Sequence, residues 1–147
     1  MLLDIAARFF EEADWPAERH PQDSMLRATF EGENGPFTCY VLADDDAQRL
    51  GFYAVAPSLV DAAYRDAVAL FTSRLNYGLT IGNFEIDFDS GEVRFRVGID
   101  VEGAELTAPM VRTMAASACL NLDYHRLAIE AVGRGAISPE DAYSALD

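Results

Sequence analysis

Leu2, Ile5, Ala6 and Phe9 recur at three- and four-residue intervals, which predicts an amphipathic helix over residues 2–12, ending before Trp15-Pro16. The next stretch, AERHPQDS at 17–24, carries no periodic apolar signal and reads as a loop. Apolar and β-branched runs at 25–30 and 37–42 flank EGENGP, whose Asn34-Gly35-Pro36 favours a turn and marks a hairpin. Asp44, Asp45 and Asp46 interrupt the pattern, and a third strand is expected at about 49–56, completing a meander.

From Pro57 the period becomes helical, with Val60, Tyr64, Val68, Phe71 and Leu75 on one stripe. Ser58 is the expected cap, Asp61 falls in the first turn, and Gly78 or Gly82 ends a helix of about 18 residues. Strict alternation returns at 83–88, with Phe84, Ile86 and Phe88 on one face and Glu85 and Asp87 on the other. Asp89-Ser90-Gly91 supplies the turn into a return strand at 93–101, where Arg94 and Arg96 are expected to face Glu85 and Asp87. Thr107 caps a long helix opening at Ala108-Pro109, whose stripe is Val111, Met114, Ala118, Leu122, His125, Ile129 and Val132. Ser138-Pro139-Glu140-Asp141 then starts a short helix. The predicted fold is α+β, an antiparallel β-sheet packed against helices in the order α-β-β-β-α-β-β-α-α.

Half of the 147 residues are hydrophobic, enough for a folded core, and no linker interrupts them, so one domain spanning 1–147 is expected. Eleven cations, all arginine, stand against 25 acidic residues, a formal charge of −14. Such a chain repels phosphate backbones and anionic headgroups, which disfavours nucleic acid and membrane as partners. Asp4 stands where a secretory signal would carry positive charge, and the apolar runs fall far short of the roughly 20 residues needed to span a bilayer. A cytoplasmic protein is expected. Cys39 and Cys119 form no local pair or metal motif and read as buried free thiols.

His125 falls on an apolar helical stripe and reads as a hydrogen-bonded core or rim histidine. Cys119 lies six residues earlier, about 240° round the helix, which disfavours a Cys–His catalytic pair. The three aspartates at 44–46 lack the alternating ligands, central glycine and terminal glutamate of a helix-loop-helix calcium site, and read as a solvated turn. The sequence carries no phosphate loop, dinucleotide fingerprint, metalloprotease spacing or serine nucleophile elbow. No catalytic, cofactor-binding or metal residue is assigned, and no cofactor is expected. The remaining candidate is an interaction or structural motif: Asn76, Tyr77, Gly78, Gly82, Asn83, Phe84 and Glu85, with Arg94 and Arg96 on the return strand.

Leu75-Asn76-Tyr77-Gly78, Gly82-Asn83-Phe84-Glu85 and Gly91-Glu92-Val93-Arg94-Phe95-Arg96, in this order and spacing, resemble the bacterial YbjN-domain family. The likeness extends to the Trp15 region, to Gly35 through Cys39, and to the Gly135-Ser138-Pro139-Glu140-Asp141-Ala142 ending. The family is described as sensory-transduction regulators, and its fold looks like that of type III secretion chaperones. Those chaperones are small, acidic, cytoplasmic homodimers that bind extended clients. The resemblance therefore implies a chaperone-like fold, self-association and a protein client, and it transfers no catalytic residue. The leading expectation is a non-catalytic cytoplasmic protein-interaction or regulatory module. A homodimeric chaperone for an extended client segment is the alternative, and a small-molecule-binding protein or unrecognised hydrolase is a third class.

Overall fold

The computed structural model describes residues 1–146; Asp147, the end of the expected domain, lies outside the described residues. The first element is α1 (Leu2–Glu12), which buries Leu2, Leu3, Ala6 and Phe10 and turns Asp4, Arg8, Glu11 and Glu12 to water. Its first amide, on Leu2, donates to the Asp45 carboxylate at 3.0 Å, so the acidic turn at 44–46 also places an anion at a helix N-terminus. Four strands follow: β1 (Ala17–His20), β2 (Met25–Gly32), β3 (Gly35–Asp44) and β4 (Arg49–Val55). Then come α2 (Arg65–Tyr77), the hairpin β5 (Asn83–Ile86) and β6 (Val93–Asp100), the long α3 (Ala108–Gly133) and α4 (Pro139–Ser144).

All six strands join one antiparallel sheet in the order β1-β2-β3-β4-β6-β5. The expected architecture is present with one strand more, so the order is α-β-β-β-β-α-β-β-α-α. The extra strand, β1, occupies the stretch expected to be a loop. Its residues are exposed or half-exposed and pair with β2 through the backbone, so no apolar alternation marks them. Two boundaries also differ from expectation. Residues 57–61 are not helical: the Val60 amide donates to the Gly91 carbonyl at 2.8 Å, a short 3-10 turn covers Ala62–Tyr64, and α2 starts at Arg65. Ser58 therefore lies outside the helix it was expected to cap. β5 ends at Ile86, leaving Phe88 more than half exposed.

α3 is the central helix. It packs on β2, β4 and β6 and touches both α1 and α2, so the helices form one layer on one face of the sheet. Its stripe of Val111, Met114, Ala118, Leu122, Ile129 and Val132 is buried as the spacing predicts, and it shares a core with Phe52 and Phe95. The Thr107 and Ser138 caps are both formed. Cys39 and Cys119 are free and buried, with Sγ atoms 3.6 Å apart. The hydrogen bond to Cys39 and burial push the Cys119 thiol up, so it stays protonated.

One polar contact fixes how α3 is rotated. The buried Asp123 carboxylate accepts the Glu33 and Asn34 amides at 3.0 and 3.1 Å, and the Asn34 side chain donates back to the Asp123 carbonyl at 2.9 Å. A turn later, Arg126 donates to the Pro36 carbonyl at 3.1 Å and to Glu130 at 3.0 Å. The tip of the β2–β3 hairpin is thus clamped to the helix. Gly32 is required there, because a Cβ would collide with the Asp123 carboxylate. Replacing Asp123 by Ala leaves two amides without their acceptor and is expected to lower stability by about 1–3 kcal/mol. Urea denaturation checks this; an unchanged unfolding midpoint would contradict the clamp.

Candidate functional site

The nine residues singled out from the sequence do not form one site; the structure divides them between the two faces of the β5–β6 edge. On the helix side, Asn76 at the end of α2 clasps β5 by accepting the Phe84 amide at 2.7 Å and donating to the Phe84 carbonyl at 3.0 Å. Gly78 ends the helix with an ordinary φ of −93°, and the chain reverses at Gly82, where φ is +77° and a Cβ would collide with the Phe95 ring. Phe84 is buried, its ring edge-on to Phe95 at 4.9 Å and to His125 at 5.8 Å. These residues hold α2 to the sheet. Tyr77 alone among them points away, 97% exposed.

Asn83, Glu85, Arg94 and Arg96 lie instead on the sheet face that no helix covers. Glu85 pairs with Arg94 at 2.9 Å and with Arg96 at 3.4 Å. The expected partnership with Asp87 does not form, because Asp87 lies beyond β5 and its carboxylate accepts the Asp89 amide and the Ser90 hydroxyl of its own turn. Cross-strand register sets Glu18, Arg27, Tyr40, Tyr53, Arg96 and Asn83 in one row over this face, and the Arg94 guanidinium lies 4.6 Å from the Tyr53 ring centre. Paired Gly51 and Gly98 floor an open trough of ≈ 540 Å³ beside Tyr53 and Arg96. The face is polar and internally paired, as a solvated sheet face should be.

His125 is half-buried between the Phe84 ring and the Tyr124 ring, 4.7 Å away, and its Nδ1 is buried with no hydrogen-bond partner. It bears no catalytic geometry. Burial holds its imidazole below the ordinary value. Among the described residues no three His, Cys, Asp or Glu side chains cluster as metal ligands, and no helix is long and apolar enough to cross a membrane.

The surface that departs from ordinary solvation was not singled out from the sequence. It is the outward side of α3. Leu120, Tyr124 and Leu127 are 62%, 66% and 56% exposed, and Thr113 and Ala116 continue their line toward the helix start. The only acids of α3 are Asp123, buried on the hairpin, and Glu130, paired with Arg126. Arg112 is the one exposed charge on this helix. α1, beside it in the same layer, turns four charged residues outward. Ile81 of the α2–β5 loop, 46% exposed, extends the patch on one side, its carbonyl accepting Ser117 at 3.0 Å. On the other side a hollow of ≈ 250 Å³ opens between α1 and α3, lined by Phe9, Trp15, Phe30, Ala116 and Leu120. A helix apolar on both faces signals a covering partner. The sequence signal was present: Ala116, Leu120, Tyr124 and Leu127 recur at four- and three-residue intervals beside the buried stripe with no charge among them.

Residues 3–121 match the YbjN family, described as "Putative bacterial sensory transduction regulator". The chain belongs to the YbjN family. The match ends within α3, so the Gly135–Ala142 ending lies beyond it. Crystal structures share the fold, among them YbjN from E. coli, with 11% identity and a TM-score of 0.59 over 84% of this chain and 92% of that one. The ExsC-ExsE complex contains a similar chain, with 16% identity and a TM-score of 0.56 over 84% and 90%. The HopA1-SchA chaperone-effector complex contains another, with 14% identity and a TM-score of 0.54 over 82% and 88%. The YbjN-family, chaperone-like fold expected from the resemblance is borne out. No curated protein matches the sequence.

Asn76→Ala is expected to remove both bonds to Phe84 and cost about 1–2 kcal/mol, with faster hydrogen exchange at the Phe84 amide; unchanged exchange would contradict the clasp. For His125, the unfolded chain takes up a proton more readily than the folded one. Stability from the neutral ring is therefore complete above about pH 6.5 and is lost as pH falls through the lower folded value. His125→Phe is expected to flatten the stability profile just below pH 6.5, measured by thermal melting against the unaltered protein. Identical profiles would contradict a buried neutral imidazole.

Proposed function

We propose that this YbjN-family chain is a non-catalytic regulatory module that acts by binding protein, and that its working surface is the outward side of α3. The observation that carries the reading is the apolar, carboxylate-free character of that side on a molecule of formal charge −14. Covering Leu120, Tyr124 and Leu127 removes apolar area from water without desolvating a carboxylate, the condition for a favourable protein contact. A single introduced acid there should be far more damaging to binding than to folding.

A second reading, a chaperone that holds an extended client segment, draws support from the aromatic-lined hollow between α1 and α3. Two chains of similar fold were solved in complexes, one of them a chaperone-effector complex. An extended segment laid along α3 could seat an apolar side chain in that hollow.

Leu120→Asp is expected to leave the melting temperature within a few degrees of the unaltered protein, because the side chain is exposed. It is expected to reduce by tenfold or more the recovery of whatever protein the unaltered chain captures from its own host's lysate, quantified by mass spectrometry. Equal recovery by both proteins would contradict the proposed surface.

A further inference from the structure

A pocket of ≈ 230 Å³ opens between the segment 56–60 and the C-terminal turns of α3, about half a turn round the helix from Leu120. Ala56, Val60, Leu122 and Ile129 line it, each at most 8% exposed. Its interior is apolar. Three charged side chains border it, Arg126, Glu130 and Arg134. Arg126 and Glu130 pair at 3.0 Å and offset each other, whereas Arg134 is exposed and makes no ion pair among the described residues. The mouth therefore carries one unmatched guanidinium. The formal charge of −14 repels a free anion at long range, but screening shortens that range to about 8 Å in physiological salt, so the bordering groups decide.

The wall opposite α3 is fixed at both ends. The Ala56 amide donates to the Val93 carbonyl at 2.9 Å and the Val60 amide to the Gly91 carbonyl at 2.8 Å, while the Val60 carbonyl accepts Arg65 Nε at 3.0 Å. A pocket held in this way is preformed and spares a ligand the cost of ordering it. Gly133, the last residue of α3, also borders it. Its backbone is not left-handed, and a Cβ would meet only Val60 and Val68 methyl groups at 3.5–3.6 Å, an ordinary contact. Neither conformation nor packing requires glycine there, and alanine is the better helix former. What the missing side chain leaves is space at the Val60 wall.

We infer that this pocket binds a small monocarboxylate with an aliphatic or aromatic body, the body lying between Val60 and Ile129 and the carboxylate on the Arg134 guanidinium. An apolar chamber with a single unmatched charge at its mouth selects an apolar molecule that is oppositely charged at one end. The volume equals that of about eight waters, room for one organic molecule and too little for a run of peptide. The site is separate from the outward side of α3, and the two readings stand or fall independently.

Octanoate titrated into the isotope-labelled full chain, followed by amide NMR, is expected to give saturable shifts confined to residues 56–60 and the last turns of α3, with a Kd of about 1 mM or tighter. Octanamide, the neutral counterpart, is expected to bind at least fivefold more weakly. Arg134→Gln is expected to abolish that preference while leaving octanamide binding unchanged. Gly133→Ala is expected to melt no lower than the unaltered protein yet to bind both probes at least threefold more weakly. Absence of saturable shifts at 10 mM octanoate overturns the inference, as do shifts centred on the outward side of α3 or on the trough beside Tyr53. A carboxylate preference that survives Arg134→Gln, or binding unaffected by Gly133→Ala, overturns it equally.

Discussion

The clamp between Asp123 and the β2–β3 hairpin tip decides which side of α3 faces outward. Apolar packing alone would hold a helix of this composition on the sheet in more than one rotation, because apolar residues occupy both of its sides. In half-buried bonds the carboxylate accepts two amides of the hairpin tip that no strand partner satisfies, and a rotation that withdrew it would forfeit both bonds and leave the buried Asp123 side chain without partners. Asp123 and Arg126 together hold the hairpin from Glu33 to Pro36. Leu122 and Ile129 are thereby turned to the core, while Leu120, Tyr124 and Leu127 are left in solvent. The outward patch is a consequence of the clamp.

Charge is distributed to match. The uncovered sheet face sets Arg94 and Arg96 against Glu85, and Arg49 against Asp100. Each of these exposed or half-exposed pairs contributes little to stability. Together they keep a bare sheet face compatible with water. The acids of α1 and of the 44–46 turn sit at the surface or at a helix start. Carboxylates are absent from the outward side of α3 between Thr113 and Leu127, as they are from residues 67–84 of α2 and the loop after it. On such a molecule a surface without carboxylates is one that a like-charged partner can approach with least repulsion.

Much of the fold was legible in the sequence because most elements bury one face. α1, β3, β4, β6 and the inner stripe of α3 alternate with the period of their structure, and Thr107 and Ser138 announce their helices. β1 was illegible because it is held by backbone pairing with nothing buried beneath it. The start of α2 was misplaced because Val60 is buried by an extended segment whose amide bonds to Gly91, a contact 31 residues away. The segment from Asn76 to Phe84 stood out by its residue types, and the hydrogen bonds it makes join helix to sheet. The outward patch escaped because a stripe of Leu, Tyr and Leu beside a core stripe looks, in one dimension, like more core.

The central claim is that the outward side of α3 is covered in the working protein. Hydroxyl-radical footprinting inside cells producing the chain tests it most directly, with mass spectrometry reading oxidation at Tyr124 and Leu127 against the exposed references Tyr77 and Phe88. Protection of Tyr124 and Leu127 by severalfold relative to the same residues in dilute purified Leu120→Asp protein, with Tyr77 and Phe88 unchanged, is the expected result. Equal oxidation of Tyr124 and Leu127 in both settings would contradict the account.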